Sequence, residues 1–513
     1  MVSAKWVRAT IFGVSAIALS SCATLTDRFV APTLGPEPYH SAQIEDALTA
    51  GETALIGDRH IDTGIALSGG GLRSAYYTIG ALKALYDGGV LGGRADMIST
   101  VSGGSYAAYW VYTNQYDALS RAPASSRFGS ASFDEKVFYR HMCQRLGDAN
   151  FVKYGPMLRS TVSGNARTLY DERLGVVFGP TDRVEGNPRE GRLRIDALAA
   201  PIARRGWPYL IVNATRFRPR PDGWNNALFE ITPVGTRGHA GDERTAAVER
   251  PWVGGDAVKY RYAVAASGAA FATLLHRGMT LRNGDGSTSE IRIADGGGSE
   301  NLGAIALIRR GVPHIIIIDA EHDPDYRFGA YTNLKKRLAF WGASIVIDGI
   351  ETHLAKEGKP ASPDVGNFTG KAVIVGADGK PRTLRIDYLK MSLPEPLKAG
   401  LRADHHAGTG KASYDSFFDA MGSLDATGHY DCTKAAAATD PLLPWFRYGV
   451  AHYGQWWNAT RRARKIAPIR FPQYTTFDQS MFKDQALAFI GLGYIQGREY
   501  VTDPRNSAVN PPR

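Results

Sequence analysis

The sequence is short of cysteine and of long apolar runs, and both shortages restrict what the chain can be. Only three cysteines occur among the 513 residues, Cys22, Cys143 and Cys432, which is too few for a disulfide-rich scaffold. No apolar run approaches the ~20 residues that a membrane-spanning helix needs. Metal-binding patterns such as His-Glu-x-x-His and Cys-x-x-Cys are absent, so we expect no catalytic metal and no cofactor.

The overall composition is that of a folded globular protein. Hydrophobic residues make up 44% and charged residues 21% of the chain, which excludes a largely disordered protein. The 57 glycines and 27 prolines follow no period, which excludes a collagen-like chain. The net charge of +10 favours an anionic surface or acidic ligands without identifying either. No recognised nucleic-acid-binding module accompanies this charge, so we expect no nucleic-acid partner.

The first 22 residues have the pattern of an export signal. Lys5 and Arg8 precede an uncharged apolar run from Ala9 to Leu19, which ends in Ser20-Ser21-Cys22. The run is too short to span a bilayer but suits the core of a signal peptide. The small residues before Cys22 resemble the lipobox of bacterial lipoproteins, which implies cleavage before Cys22 and a lipid on its thiol. An ordinary signal peptide or a buried segment with a chance cysteine is the alternative.

Turn signals and apolar segments predict one large α/β domain. We expect a signal peptide at residues 1–21, a tether at 22–53, and a domain at 54–500. An inserted and possibly lid-forming region lies within the domain at about 113–259, and a flexible tail follows at 501–513. Buried strands are predicted at 209–214 and 314–319, and a hairpin joins 372–375 to 383–388 through Asp378-Gly379. Strands separated by helical stretches indicate a layered α/β fold.

Two further features leave alternatives open. In an oxidising compartment Cys143 and Cys432 can pair, and two separate buried thiols are the alternative. The aromatic stretch from Trp445 to Trp457, beside the basic cluster Arg461 to Lys465, can lie at a membrane interface. We favour the interpretation in which these aromatic side chains form the buried face of an amphipathic helix.

Three consecutive glycines lie between a short apolar strand and a helix in the segment from Ile65 to Ser74. Such a turn lets the backbone N–H groups of Gly69, Gly70 and Gly71 point at a bound group, and the positive end of the helix attracts an anion. The segment is not a P-loop, because Gly-Lys-Ser/Thr is absent, and Ser74 breaks the dinucleotide-binding pattern. The loop can cradle a phosphate or an oxyanion, or it can be a tight turn.

A serine and an aspartate stand at the ends of two other apolar strands. Ser102 is at the apex of a strand-to-helix turn, which is the nucleophile position of a Gly-x-Ser-x-Gly elbow, although Thr100 replaces the first glycine. Asp295 ends a strand before Gly296-Gly297, where a carboxylate can accept the proton of a serine hydroxyl. Both residue types are also common in turns for structural reasons alone.

The order of these three motifs resembles the patatin-like phospholipases, and in more detail their cytosolic phospholipase A branch. Ser68 to Arg73 is similar to the Ser-Gly-Gly-Gly-x-Arg of that branch, and Ser102 to Ser105 to its Ser-Gly-x-Ser elbow. Val264 to Ala270 resembles the family's Ala-Ser-x-Ala segment, but Phe271 stands where a proline is often found. The resemblance is clear over about residues 60–112 and 260–320.

The resemblance implies a three-layer fold with a central, mostly parallel sheet flanked by helices, to which the hairpin and C-terminal helices are additions. It also implies a Ser–Asp dyad, with Ser102 as the nucleophile that forms an acyl-enzyme and Asp295 as its base. The N–H groups of Gly70 and Gly71, together with that of Gly69, would hold the oxyanion of the tetrahedral intermediate.

The sequence leaves two roles open for Arg73 and favours neither a Ser-His-Asp triad nor a metal site. Arg73 matches the family's basic residue that is thought to face the lipid phosphate, to which a guanidinium fork is suited. A salt bridge on a helix surface is the alternative. A Ser-His-Asp triad would need a designated histidine, and none of the twelve lies in such a motif. His405-His406 follow Asp404 in a polar segment without a second ligand pair, so a solvated segment is favoured over a metal site.

The sequence therefore predicts a serine lipid acyl hydrolase of the phospholipase A or lysophospholipase type. Its substrate would be a phospholipid or lysophospholipid, and a lipid on Cys22 would tether it to a membrane of the bacterial cell envelope, at the outer membrane or periplasmic face. A catalytically inert patatin-like lipoprotein that binds lipid or a protein partner is the first alternative. An acyltransferase that hands the acyl group to an alcohol is the second.

Overall fold

A twelve-stranded sheet flanked by helices organises the part of the chain that the structure describes. The structure is a computed structural model. It describes residues 48–119, 127–147, 166–180, 193–220, 223–239, 247–269, 277–283, 286–356, 362–376, 379–422, 442–463, 471–474 and 481–507. The strands are β1 Thr63–Leu67, β2 Ala95–Val101, β3 Tyr209–Arg220, β4 Gly223–Ile231, β5 Gly235–His239, β6 Ala247–Pro251, β7 Arg277–Arg282, β8 Thr288–Asp295, β9 His314–Asp319, β10 Ser344–Val346, β11 Asn367–Val375 and β12 Pro381–Lys390.

The middle of the sheet is parallel and its flanks are antiparallel. The strand order is β10-β11-β12-β9-β1-β2-β3-β4-β5-β6, with β8 pairing to β3 and β7 to β8. The run β12-β9-β1-β2-β3 is parallel, and the other pairs are antiparallel. Every residue of β1 and β9 is buried, as expected for parallel strands covered on both faces. The α/β class and the predicted hairpin, β11–β12, are confirmed, with parallel pairing confined to the central strands.

The helices follow the strands as crossovers and as C-terminal additions. They are α1 Ala50–Ile56, α2 Gly71–Asp87, α3 Gly103–Ala118, α4 Ser130–Phe133, α5 Glu135–Gly147, α6 Ala166–Phe178, α7 Ala199–Arg205, α8 Tyr260–Ser267, α9 Ala304–Ile308, α10 Gly329–Phe340, α11 Asp348–Leu354, α12 Glu395–Ala407, α13 Lys411–Gly422, α14 Leu442–Ala463, α15 Lys483–Thr502 and α16 Pro504–Ser507. Two 3₁₀ turns span Ile195–Leu198 and Gly296–Gly298.

Helix α15 packs closely against α2, the helix that follows the glycine loop. A Cβ built on Gly80 would lie 1.8 Å from Ile490 O, and one on Gly493 would lie 1.9 Å from Tyr77 O, so only glycine allows this approach. The phenol of Tyr77 also donates to Gln496 Oε1 at 2.7 Å. The C-terminal region therefore supports the first helix of the site.

Several predicted boundaries need correction. Strands β3 and β4 lie within the predicted insertion at 113–259, but β3 pairs with β2, so this part is integral to the sheet. Helix α1 begins at Ala50, inside the predicted tether, because Thr49 and Glu52 form a capping box. The predicted tail at 501–513 begins with the end of α15 and with α16, and its last six residues lie outside the described residues.

The predictions for the signal peptide, the cysteines and the aromatic stretch of α14 have different outcomes. The predicted signal peptide and Cys22 lie outside the described residues. Cys143 is buried and disulfide-bonded, whereas Cys432 lies outside the described residues. In helix α14 the side chains of Trp445 and Phe446 are buried, which confirms the core interpretation for them. Of the helices in the described ranges, none is long and apolar enough to cross a membrane.

Candidate active site

Strands β2 and β8 pair with successive stretches of the same edge of β3, and this brings Ser102 and Asp295 together. In the parallel pair β2–β3, Val101 lies opposite Asn213, and Ser102 is the next residue along the chain. In the antiparallel pair β3–β8, Ala214 lies opposite Asp295. Asn213 and Ala214 are consecutive residues of β3, so the end of β2 and the end of β8 meet beside them along this edge. Two residues 193 positions apart in the sequence thus become neighbours.

Ser102 occupies a strained elbow between β2 and α3. Its backbone has φ 48° and ψ −115°, a combination that a residue with a Cβ rarely adopts. The turn is tight because glycines allow two close backbone contacts. A Cβ on Gly103 would lie 2.2 Å from Gly71 O, and one on Gly104 would lie 2.4 Å from Leu67 O. The predicted elbow geometry is therefore present despite Thr100.

The side chains of Ser102 and Asp295 form a direct hydrogen bond. Ser102 Oγ donates to Asp295 Oδ2 at 2.9 Å, and the N–H of Gly297 donates to Asp295 Oδ1 at 2.8 Å. Burial raises the pKa of Asp295 to about 6, and these two donors oppose the rise by favouring the carboxylate. The group is therefore ionised at neutral pH, yet is more basic than an exposed aspartate.

Two buried side chains that the sequence analysis did not select hold the elbow in place. Ser267 Oγ accepts the N–H of Ser102 at 2.8 Å and donates to Asn213 O at 2.6 Å. Asn213 Nδ2 in turn donates to Ser99 Oγ at 2.8 Å and to Thr100 O at 2.9 Å. Ser267 belongs to the small-residue segment from Val264 to Ala270, and that segment was the sequence signal that could have identified it. No sequence signal identified Asn213, because its contacts with β2 depend on the register of β3 against β2.

The glycine loop lies against the elbow. Gly70 has φ 141° and Gly71 has φ 62°, both in the range that favours glycine. A Cβ on Gly69 would lie 3.3 Å from Ser102 Cβ, so the loop passes directly beside the serine. The N–H of Gly69 donates to Asn301 O at 2.8 Å and is therefore engaged. Within the described part of the chain no acceptor takes the N–H of Gly70 or Gly71.

Arg73 lies beneath the glycine loop rather than on a surface. Its side chain is 1% exposed, and Nε and Nη2 donate to Ala320 O at 3.2 and 3.0 Å. A Cβ on Gly70 would lie 2.9 Å from Nη2, so the guanidinium packs against the loop. Burial lowers the pKa of Arg73 to about 10, while Asp319 and Glu321 favour its charge. The surface salt bridge is wrong, and in this structure the guanidinium supports the loop.

A buried charge cluster lies next to Arg73. Lys390 Nζ contacts Asp319 Oδ2, Glu321 Oε1 and Asp323 Oδ2 at 2.8, 2.9 and 3.0 Å. The phenol of Tyr388 donates to Asp319 Oδ2 at 2.6 Å. Burial of the cluster raises the pKa of Glu321. This cluster fixes the end of β9 and, through Ala320, the base of the glycine loop.

The described residues contain no group of three or more histidine, cysteine, aspartate or glutamate side chains that could hold a metal ion. His405, on α12, stacks on Tyr448 at 4.8 Å between ring centroids, and its Nε2 lies 3.4 Å from His452 Nδ1. These histidines belong to the α12–α14 packing. The Ser102–Asp295 pair is formed by other elements, β2, α3 and β8.

One comparison with known proteins identifies the family of the stretch that carries this site. Residues 65–308, which contain β1, the glycine loop, the elbow and Asp295, match the family model of the patatin-like phospholipases. This stretch is therefore a patatin-like phospholipase domain, and the predicted family is confirmed for it. The match supports an enzyme that hydrolyses lipid esters. A comparison with curated proteins finds no match.

Two solved structures of a human enzyme show a distant similarity. Human GIVD cytosolic phospholipase A2 aligns with a TM-score of 0.48 and 10% identity over 89% of this chain and 64% of that chain. The same enzyme in complex with methyl γ-linolenyl fluorophosphonate aligns with a TM-score of 0.42 and 11% identity over 90% and 61%. This chain thus spans less than two thirds of the length of those chains.

Proposed function

We propose that the protein is a serine lipid acyl hydrolase of the phospholipase A or lysophospholipase type. The observation that carries this proposal is the hydrogen bond of 2.9 Å from Ser102 Oγ to Asp295 Oδ2, formed in an elbow beside the glycine loop. The match of residues 65–308 to the patatin-like phospholipases supports lipid esters as the substrate class.

The proposed reaction has two half-reactions. Ser102 Oγ attacks the ester carbonyl carbon while its proton passes to Asp295, and the carbonyl electron pair moves onto the oxygen. The N–H groups of Gly70 and Gly71 stabilise that oxyanion, aided by the N-terminus of α2. Collapse expels the alcohol, which takes the proton from Asp295. Water then attacks the acyl-enzyme with Asp295 again as base. Collapse breaks the bond to Ser102 Oγ, which takes the proton back from Asp295, and the fatty acid leaves.

Arg73 has a positioning role in this proposal. Its hydrogen bonds to Ala320 O and its packing against Gly70 hold the loop in the conformation that presents the two N–H groups. A buried guanidinium also adds positive potential near the developing oxyanion.

Fatty-acid release from phospholipid vesicles and lysophospholipid micelles tests the proposed function. We expect release by the wild type, and none above background by Ser102→Ala. Ser132→Ala is the matched control, because Ser132 is a buried serine whose hydroxyl lacks a hydrogen-bond partner among the described residues, and it lies on α4. Equal, background-level release by folded wild type and Ser102→Ala would reject the hydrolase and favour the inert lipoprotein. Addition of an alcohol acceptor distinguishes an acyltransferase.

We also propose that the protein is anchored to the bacterial cell envelope through Cys22. The support is the basic, apolar and small-small-Cys order at the N-terminus. Metabolic labelling with a fatty acid should mark the wild type in the membrane fraction, and Cys22→Ser should lose the label. A labelled Cys22→Ser variant, or an unlabelled wild type, would contradict lipidation at this residue.

A further inference from the structure

The hydroxyl of Ser68 joins the glycine loop to the end of the central strand β9. Ser68 follows β1 directly, and its N–H donates to Ile318 O at 3.1 Å, which continues the parallel β1–β9 pairing past Leu67. This register places Ser68 beside Ala320, whose N–H donates to Ser68 Oγ at 2.7 Å. Ser68 is completely buried, so water does not compete for this hydrogen bond.

Proton counting gives the direction of a second hydrogen bond of the Ser68 hydroxyl. Its Oγ accepts from the N–H of Ala320, so its one proton is available for donation. The acceptor is Gly69 O, which lies 3.2 Å from Ser68 Oγ. The carbonyl oxygen of Ser68 accepts from the N–H of Gly104 at 3.1 Å and from Ser74 Oγ at 2.6 Å. Ser68 therefore contacts β9, the glycine loop and the elbow at once.

The hydrogen bond to Gly69 O orients the peptide group that carries the N–H of Gly70. A trans peptide group is planar, so its C=O and its N–H point in opposite directions. Ser68 Oγ holds Gly69 O on the side of Ala320, and the N–H of Gly70 is thereby directed to the other side of the loop. Among the described residues no acceptor takes that N–H. It is one of the two donors assigned above to the oxyanion.

The backbone of Gly70 has a conformation that needs such a restraint. It has φ 141° and ψ 19°, and a glycine loses more conformational freedom than any other residue when it is fixed. A Cβ on Gly70 would lie 2.6 Å from Ala320 O, so the loop packs tightly on this side. Arg73 holds the carbonyl of Ala320, whereas Ser68 holds its N–H. Ser68 adds the direct contact with the peptide that precedes Gly70.

We infer that Ser68 is a positioning residue of the ester hydrolysis proposed above, and that its hydroxyl orients the Gly69–Gly70 peptide so that the N–H of Gly70 faces the oxyanion. The inference rests on the proposed function. Negative charge develops on the substrate oxygen in both tetrahedral intermediates, and a donor stabilises it best when it is already aimed at that oxygen. The carbonyl of the bound ester carries less charge, so loss of the Ser68 hydroxyl should affect the rate more than substrate binding.

Steady-state kinetics of Ser68→Ala test the inference, with Thr78→Val as the matched control. Thr78 is buried on α2, the helix that follows the loop, and its hydroxyl has no hydrogen-bond partner among the described residues. We expect Ser68→Ala to lower kcat roughly 10- to 100-fold, with KM nearly unchanged. Thr78→Val should match the wild type. Ser68→Cys keeps a weak donor and should lie between the two, and it carries the test if Ser68→Ala does not fold.

Inhibitor binding separates the position of the oxyanion donor from a general packing effect. A trifluoromethyl ketone analogue of the lipid adds Ser102 Oγ and places an oxyanion in the site, whereas an uncleavable ether analogue does not. We expect Ser68→Ala to weaken binding of the ketone by the same factor as kcat and to leave binding of the ether nearly unchanged. The inflection of the rate near pH 6 should stay in place, because the contacts of Asp295 are not altered.

The possible results separate this inference from the proposed function. Wild-type kcat in folded Ser68→Ala would overturn the inference and leave the proposed function intact. Equal losses of ketone and ether binding, or a shifted pH inflection, would also overturn it, because they would show that the whole site is distorted. The same loss of kcat in Thr78→Val would have that meaning too. A wild type without Ser102-dependent activity would overturn both the inference and the proposed function.

Discussion

The raised pKa of Asp295 predicts an unusual pH dependence for the reaction of Ser102. Asp295 must be ionised to accept the serine proton, and burial raises its pKa from 3.8 to about 6. Activity should therefore rise with pH through about 6 and level off above it. At pH 5 about one tenth of the molecules carry the carboxylate, and at pH 4 about one hundredth, so the rate should fall tenfold per unit below the inflection.

The second-order rate constant for fluorophosphonate labelling between pH 4.5 and 8.5 measures this dependence without a substrate assay. The labelled protein is quantified after quenching, so the detection step does not vary with pH. Asp295→Asn should label slowly and without this inflection, which makes it the matched control. Circular dichroism at each pH confines the comparison to folded protein. An inflection near 4, or a flat profile in folded protein, would refute the assignment of Asp295 as a buried base.

Three further predictions concern stability. The pKa of Asp295 is higher in the folded than in the unfolded protein, so ionisation of this group destabilises the fold. As pH rises from 4 to 8, the free energy of unfolding of wild type, measured in urea, should therefore fall by up to about 3 kcal/mol relative to that of Asp295→Asn. A difference between the two proteins that stays constant with pH would contradict this. Gly103→Ala should lower the melting temperature and abolish labelling, because its Cβ would lie 2.2 Å from Gly71 O; wild-type behaviour would contradict the close packing. Lys390→Met should destabilise the fold by roughly 3–5 kcal/mol in the same unfolding assay, because three buried carboxylates lose their cation; a neutral effect would contradict the cluster.

Local patterns predicted those features that depend on a short stretch of chain. The run His-Ile-Ile-Ile-Ile-Asp predicted β9 because a strand covered on both faces needs apolar side chains throughout. Asp378-Gly379 predicted the hairpin β11–β12 because Asp-Gly between two apolar strands favours the backbone conformation of a hairpin turn. The elbow at Ser102 followed from the glycines beside it, which allow backbone contacts that a Cβ would prevent.

Features that depend on distant contacts were missed or misplaced. The surface alternative for Arg73 failed because its burial depends on Ala320 O, 247 residues away. Asn213 gave no signal because its role comes from the register of β3 against β2. The segment 209–231 was included in a predicted insertion, although its strands extend the central sheet. Periodicity identifies a strand but does not determine its neighbours.

Identification of the residue that a fluorophosphonate modifies tests the central claim most directly. Residues 23–513 of wild type and of Ser102→Ala would be treated with the probe, digested, and mapped by mass spectrometry. Our account predicts a single phosphonylated residue, Ser102, and no modification in the folded Ser102→Ala variant. An unlabelled but folded wild type, or a label on another residue that persists in Ser102→Ala, would contradict Ser102 as the nucleophile.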